Sequence, residues 1–84
     1  MRSMKVRLLF FAVLRDIAGS DQRELSLEEG TTAHDVWESL RKSYAKLADY
    51  TQPPMIAINE TYAAPTAVLH DGDELAFIPP VAGG

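Results

Sequence analysis

Asp71-Gly72-Asp73-Glu74-Leu75-Ala76-Phe77-Ile78-Pro79-Pro80-Val81-Ala82-Gly83-Gly84 holds a turn, a strand, a stop and an arm in one run. Asp-Gly-Asp is turn chemistry: glycine takes backbone angles closed to other residues, and aspartate side chains bond back to nearby amides. Glu74 to Ile78 then alternates as a strand, with Leu75 and Phe77 on one face and Glu74, Ala76 and Ile78 on the other. Proline at 79 has no amide to continue the ladder, so the sheet ends there. The remainder, Pro79-Pro80-Val81-Ala82-Gly83-Gly84, ends in two residues without side chains and can thread where nothing bulkier fits. The expected organisation is one domain over residues 1–78 and a flexible C-terminal tail over 79–84.

Upstream of that run, Lys5-Val6-Arg7-Leu8-Leu9-Phe10-Phe11 reads as a first strand. Val6, Leu8 and Phe10 share one face, and Lys5, Arg7, Leu9 and Phe11 share the other. Ala12 to Ala18 spaces Val13, Leu14 and Ile17 at helical intervals, with Gly19 as a stop, which predicts a short helix. Gln22 to Leu27 reads as a second strand, followed by a turn at Glu28-Glu29-Gly30. Val36, Trp37, Leu40, Tyr44 and Leu47 fall on one helical stripe, so the main helix is expected from Thr32 onward. Thr32 with Asp35 three residues later imitates a capping box. Pro53-Pro54 closes off helix, Met55 to Ile58 reads as a third strand, and Asn59-Glu60 turns into Thr61-Tyr62-Ala63 as a hairpin. The order strand, strand, helix, strand, strand, strand predicts an α+β fold of two layers, a mixed sheet of about five strands with one main helix packed across it and a short helix besides.

Composition bounds the function classes. The chain has 84 residues, 46% hydrophobic and 24% charged, which suits one globular core. It has no cysteine, so it can neither build disulfides nor carry sulfur on a thiol. A formal net charge of -4 argues against a surface built for phosphate backbones and favours a basic protein partner over nucleic acid. The longest apolar stretch, Leu8 to Leu14, is far short of the roughly 20 residues of a membrane span, and no signal-peptide pattern precedes it. A cytoplasmic protein is expected; Met1-Arg2-Ser3-Met4 carries no functional assignment.

Strand parity leaves Phe11 and Ile78 on the face opposite the helix-covered one, where two-layer packing keeps them wet. Such a pair suggests a docking patch, extended by Tyr62 on the outgoing hairpin strand. The competing reading is a small secondary core beneath the short helix. No phosphate-binding loop or dinucleotide fingerprint occurs, so ATP, if used, is bound by a partner. His34 beside Asp35 reads as a solvated pair with no nucleophile near it in sequence, and His70 with Asp71, Asp73 and Glu74 lacks the spacing of a zinc or calcium site, so no metal is expected. Lys5, Arg7 and Arg15 either pair with an acidic partner or phosphate or, as scattered basic side chains usually do, serve solubility. Trp37 reads as core or core rim.

The terminal run, with Leu9-Phe10-Phe11-Ala12 near the start and Ala57-Ile58-Asn59-Glu60-Thr61 in the middle, resembles the small subunits of molybdopterin synthase, a family of ubiquitin-like β-grasp sulfur carriers. The resemblance covers nearly the whole chain and implies the following. Gly84 is adenylated by an ATP-using enzyme related to ubiquitin activators and converted to a thiocarboxylate with sulfur from a further protein. The tail, Pro79, Pro80, Val81, Ala82 and Gly83 included, inserts into the active site of a large synthase subunit, where sulfur passes to a cyclic pyranopterin precursor. Phe11, Tyr62 and Ile78 match apolar partner contacts, and two small and two large subunits form a heterotetramer. The chain binds no cofactor itself and acts as co-substrate more than catalyst.

The tail chemistry is consistent on its own terms. A free carboxylate is a poor electrophile, whereas a mixed anhydride with AMP has a good leaving group for a sulfur nucleophile to displace. Extended, the tail spans about 20 Å at roughly 3.3 to 3.6 Å per residue. Pro79-Pro80 stiffens its base, and Gly83-Gly84 keeps its tip slim. A sulfur carrier for thiamine synthesis or tRNA thiolation, or a protein modifier attached to lysine, uses the same activated end. From another class, a noncatalytic interaction domain with an incidental tail keeps its activity when Gly83-Gly84 is deleted.

Overall fold

The computed structural model describes residues 3–11, 13–49 and 54–78. Ser3–Phe10 forms β1, Val13–Ala18 α1, Gln22–Glu28 β2, Ala33–Ser43 α2, Met55–Ile58 β3, Thr61–Ala63 β4 and Glu74–Ile78 β5, with a short 3-10 helix at Ala45–Asp49. The strands form one five-stranded sheet in the order β2-β1-β5-β3-β4. β1 pairs antiparallel with β2 and parallel with β5, and β3 runs antiparallel to both β5 and β4. β1, β5 and β3 are thus the interior strands, and the polar β2 and short β4 form the edges, where unpaired backbone faces water.

Alternation along β1 sends Met4, Val6, Leu8 and Phe10 under α2, all of them buried. Leu75 and Phe77 of β5 join them, and α2 contributes Ala33, Val36, Trp37 and Leu40. The Trp37 ring packs on Phe77 at 5.3 Å between centroids, tilted by 56°, so the tryptophan is core. Burying rings of this size dominates the stability of so small a domain.

The capping box forms as expected: the Thr32 N–H donates to Asp35 Oδ2 at 3.0 Å, and the Asp35 N–H donates to Thr32 Oγ1 at 3.2 Å. The far end of the helix differs from the sequence expectation. α2 stops at Ser43, and Tyr44 takes an extended backbone (φ -120, ψ 110) while its N–H still donates to Leu40 O at 2.9 Å. The chain then winds again as the 3-10 helix, which brings Leu47 to 2% exposure. The apolar stripe therefore spans two helical segments. Likewise Glu28 closes β2, where a turn residue was expected.

Candidate docking face

Among the described residues helix covers one side of the sheet, and the other is an organised surface. Register places Leu9 of β1 beside Ala76 of β5, Ala76 beside Ala57 of β3, and Ala57 beside Tyr62 of β4. One row therefore crosses four strands with apolar side chains on the open side. Beyond it towards the end of β5, Ile78 pairs with Met55, and Phe11 follows β1. The small alanines make a floor and the larger side chains make walls, giving a groove of about 310 Å³ lined by Leu9, Phe11, Ala57, Tyr62, Ala76 and Ile78, with Glu60 and Glu74 at its margin. Phe11 is 45% exposed, Met55 54% and Tyr62 68%. Phe11 and Tyr62 share the groove, which makes this face a candidate interaction surface.

Phe11, Tyr62 and Ile78, predicted separately from parity and position, are thus brought together. The alternative for Phe11, a small core under α1, is not what the chain builds: Leu14 is 2% exposed and fills that space, with Ile17 packed against the core, while Phe11 faces out. Ala57 and Ala76 complete the groove, and Met55, the register partner of Ile78, is exposed outside its lining. Ala76 is legible from strand parity, but Ala57 requires the β3–β5 register, which no single strand's alternation reveals.

Along the strand axis the face turns polar. One further row carries Glu24, Arg7 and Glu74 side by side. Arg7 Nη1 lies 3.2 Å from Glu74 Oε2 and Lys5 Nζ lies 3.3 Å from Glu24 Oε1, so both cations are engaged within the chain. Ion pairs this exposed contribute about 0 to 1 kcal/mol each, so their main effect is to leave the row near neutral. Arg15 makes no ion pair among the described residues.

The hairpin that carries Tyr62 is held by its neighbours. Asn59 and Glu60 both have positive φ, 53 and 69, the pattern of a turn whose twist matches the strands it joins. Asn59 Nδ2 donates to Asp73 Oδ1 at 2.9 Å, and the Glu74 N–H donates to Asn59 Oδ1 at 2.9 Å. Asp73 Oδ2 accepts from the His70 N–H at 2.8 Å, and Asp71 Oδ1 accepts from the Lys5 N–H at 2.7 Å. The acidic run before β5 is therefore turn architecture, with Gly72 at φ 86 donating its N–H to Lys5 O at 2.8 Å. Among the described residues no group of three or more His, Cys, Asp or Glu is placed to hold a metal ion.

The start of α2 is also fully engaged. Ala33 and His34 donate their N–H groups to the carbonyls of Ala67 and Pro65 at 3.1 and 2.9 Å. Hydrogen bonds from Thr32, backbone first and side chain second, with a smaller contribution from His34, hold the Asp35 carboxyl below its ordinary range. This helix end has no free donors for a phosphate. His34 lies in the first turn after the cap, its N–H bound to Pro65 O.

β5 delivers Ile78 to the rim of the apolar groove, where Phe11 also stands. Pro79, Pro80, Val81, Ala82, Gly83 and Gly84, the predicted tail and reactive end, lie outside the described residues. The ThiS family profile matches residues 8–84, which takes in both the groove and the tail. This chain belongs to the ThiS family.

Its relatives in that family bear on the site. The molybdopterin synthase sulfur carrier subunit of Mycobacterium tuberculosis is 38% identical over 82 residues, covering 96% of this chain and 99% of its own. A solved structure from Pyrococcus furiosus described as molybdopterin converting factor subunit 1 matches with TM-score 0.82 and 32% identity, over 94% of this chain and 100% of that one. Small archaeal modifier protein 1 of Haloferax volcanii matches with TM-score 0.77 and 26% identity, over 95% of this chain and 99% of its own. The five-stranded mixed sheet with its crossing helix is a ubiquitin-like β-grasp, the fold of the solved structures it matches. No helix among the described residues is long and apolar enough to cross a membrane.

Proposed function

We propose that this chain is the sulfur carrier subunit of a molybdopterin synthase, docking through the groove of Phe11, Tyr62 and Ile78 and delivering sulfur from Gly84. One observation carries the reading: β5, the last described strand, ends with Ile78 at the rim of the exposed apolar groove that a partner would cover. The curated relative's name supports the same assignment.

In this reading a ubiquitin-activator-like enzyme binds ATP and joins AMP to the Gly84 carboxylate, releasing pyrophosphate. A sulfur nucleophile supplied through a sulfur-donating protein displaces AMP, because phosphate-linked oxygen leaves far more readily than oxide. The engaged donors at the start of α2 support placing ATP on the partner. The thiocarboxylate then enters the active site of the large subunit and gives its sulfur to the cyclic pyranopterin precursor. The β-grasp domain contributes position: with the groove docked, a tail of about 20 Å reaches a buried site without the domain entering. Two small and two large subunits make the working heterotetramer, in the cytoplasm.

Reconstitution tests this reading. With activating enzyme, ATP, sulfur source and large subunit, the wild-type chain supports dithiolene formation, and a chain extended by one residue beyond Gly84 supports none while melting like wild type. Undiminished transfer by the extended chain contradicts the assignment. The likeness to small archaeal modifier protein 1 favours one second reading, attachment of the same activated end to lysine. Isopeptide-linked products that require Gly84 would support it.

A further inference from the structure

We propose that Glu60 is a specificity residue of the docking face, set to receive a guanidinium or ammonium group from the large synthase subunit; the inference rests on the docking reading above. Glu60 holds the second position of the β3–β4 turn at φ 69, a left-handed conformation that favours glycine and disfavours a long side chain. Its carboxylate makes no hydrogen bond or ion pair among the described residues. A residue that strains its turn and satisfies nothing within the fold is placed for something outside it.

Its position says what that is. Glu60 lines both the apolar groove and the polar recess, of about 480 Å³, that begins at the Arg7 row. The other acids around that recess are committed: Glu24 to Lys5 at 3.3 Å, Glu74 to Arg7 at 3.2 Å, and Asp73 to Asn59 at 2.9 Å. Glu60 is therefore the uncompensated charge where the groove meets the recess. A protein surface seated on Tyr62 removes water from this carboxylate as well. A partner with a cation there gains a charge-assisted bond, and one without it leaves a desolvated anion unmatched. Apolar contacts supply affinity without orientation, and a single matched charge at their edge fixes the register and rejects other apolar surfaces.

The test titrates wild type, E60Q, E60K and E60G against the purified large subunit of the same organism at low and high salt, with a thermal melt of each variant. E60Q is expected to bind about tenfold more weakly, with a flatter salt dependence, and E60K about a hundredfold more weakly. E60G is expected to bind like E60Q yet melt a few degrees higher, because glycine suits the turn. That split separates the docking role from a role in folding. E60Q and E60G binding as tightly as wild type, while Tyr62→Ala weakens the complex, overturns the inference and leaves the docking reading standing. A wild-type chain that does not bind the large subunit, or a complex indifferent to Tyr62→Ala, overturns both. Dimerisation of the free chain that depends on Glu60 makes a second copy the occupant and also overturns the proposal.

Discussion

The two faces of one sheet have been given opposite tasks. Under α2, β1 and β5 place Val6, Leu8, Leu75 and Phe77 at 0% exposure. One residue along the same strands, Leu9, Ala76 and Ile78 form a groove with Phe11 and Tyr62 that no element of the described chain covers. Both faces are apolar, so hydrophobicity alone does not tell the covered face from the open one. What separates them is the helix: its stripe saturates one face, and among the described residues no second helix of comparable length covers the other. The open face is held in shape by polar clasps at its margins, which leaves its apolar side chains free to meet a partner.

Substitutions that respect this division should behave in opposite ways. Phe77→Ala removes a fully buried ring packed at a tilt against Trp37 and is expected to cost about 3 to 5 kcal/mol, a large part of a small domain's stability, measured by denaturant unfolding. Tyr62→Ala should leave stability within about 0.5 kcal/mol of wild type. It should also weaken binding to the large subunit by about 2 kcal/mol, roughly thirtyfold in Kd. If Tyr62→Ala unfolds the protein instead, the open face is part of the core and the comparison breaks. Asn59→Ala, which loses the bonds to Asp73 and Glu74, should cost about 1 to 2 kcal/mol and loosen the hairpin, seen as faster amide exchange in β4.

The smallest effect expected lies on the covered side, at the cap of α2. Because folding lowers the Asp35 pKa, its contribution is fully present above the unfolded value of about 3.9 and is lost as pH falls through the lower folded value. Wild type and Asp35→Asn should therefore differ in melting temperature at neutral pH and converge in acid. A gap that is independent of pH would show that the carboxylate charge is not what the cap uses.

Much of this architecture is written locally. The capping box at Thr32 and Asp35, the Asn59-Glu60 turn and the Asp71-Gly72-Asp73 turn into β5 each depend on residues only a few positions apart. Strand parity likewise puts Phe11 and Ile78 on the open face. The break at Tyr44 was not legible, because no glycine or proline marks it and the spacing of Leu40, Tyr44 and Leu47 suits one continuous helix. Ala57 was missed as a groove residue, and Lys5 and Arg7 as members of internal ion pairs, because both depend on how strands pair. Sequence alternation assigns faces within a strand and leaves the register between strands to packing.

The most direct test of the central claim is the intact mass of the chain after incubation with ATP, an activating enzyme and a sulfur source. The account predicts a gain equal to the exchange of one oxygen for one sulfur, localised to Gly84 and abolished when Gly84 is removed. An unchanged mass under conditions where the same enzyme thiolates another ThiS-family carrier would contradict it.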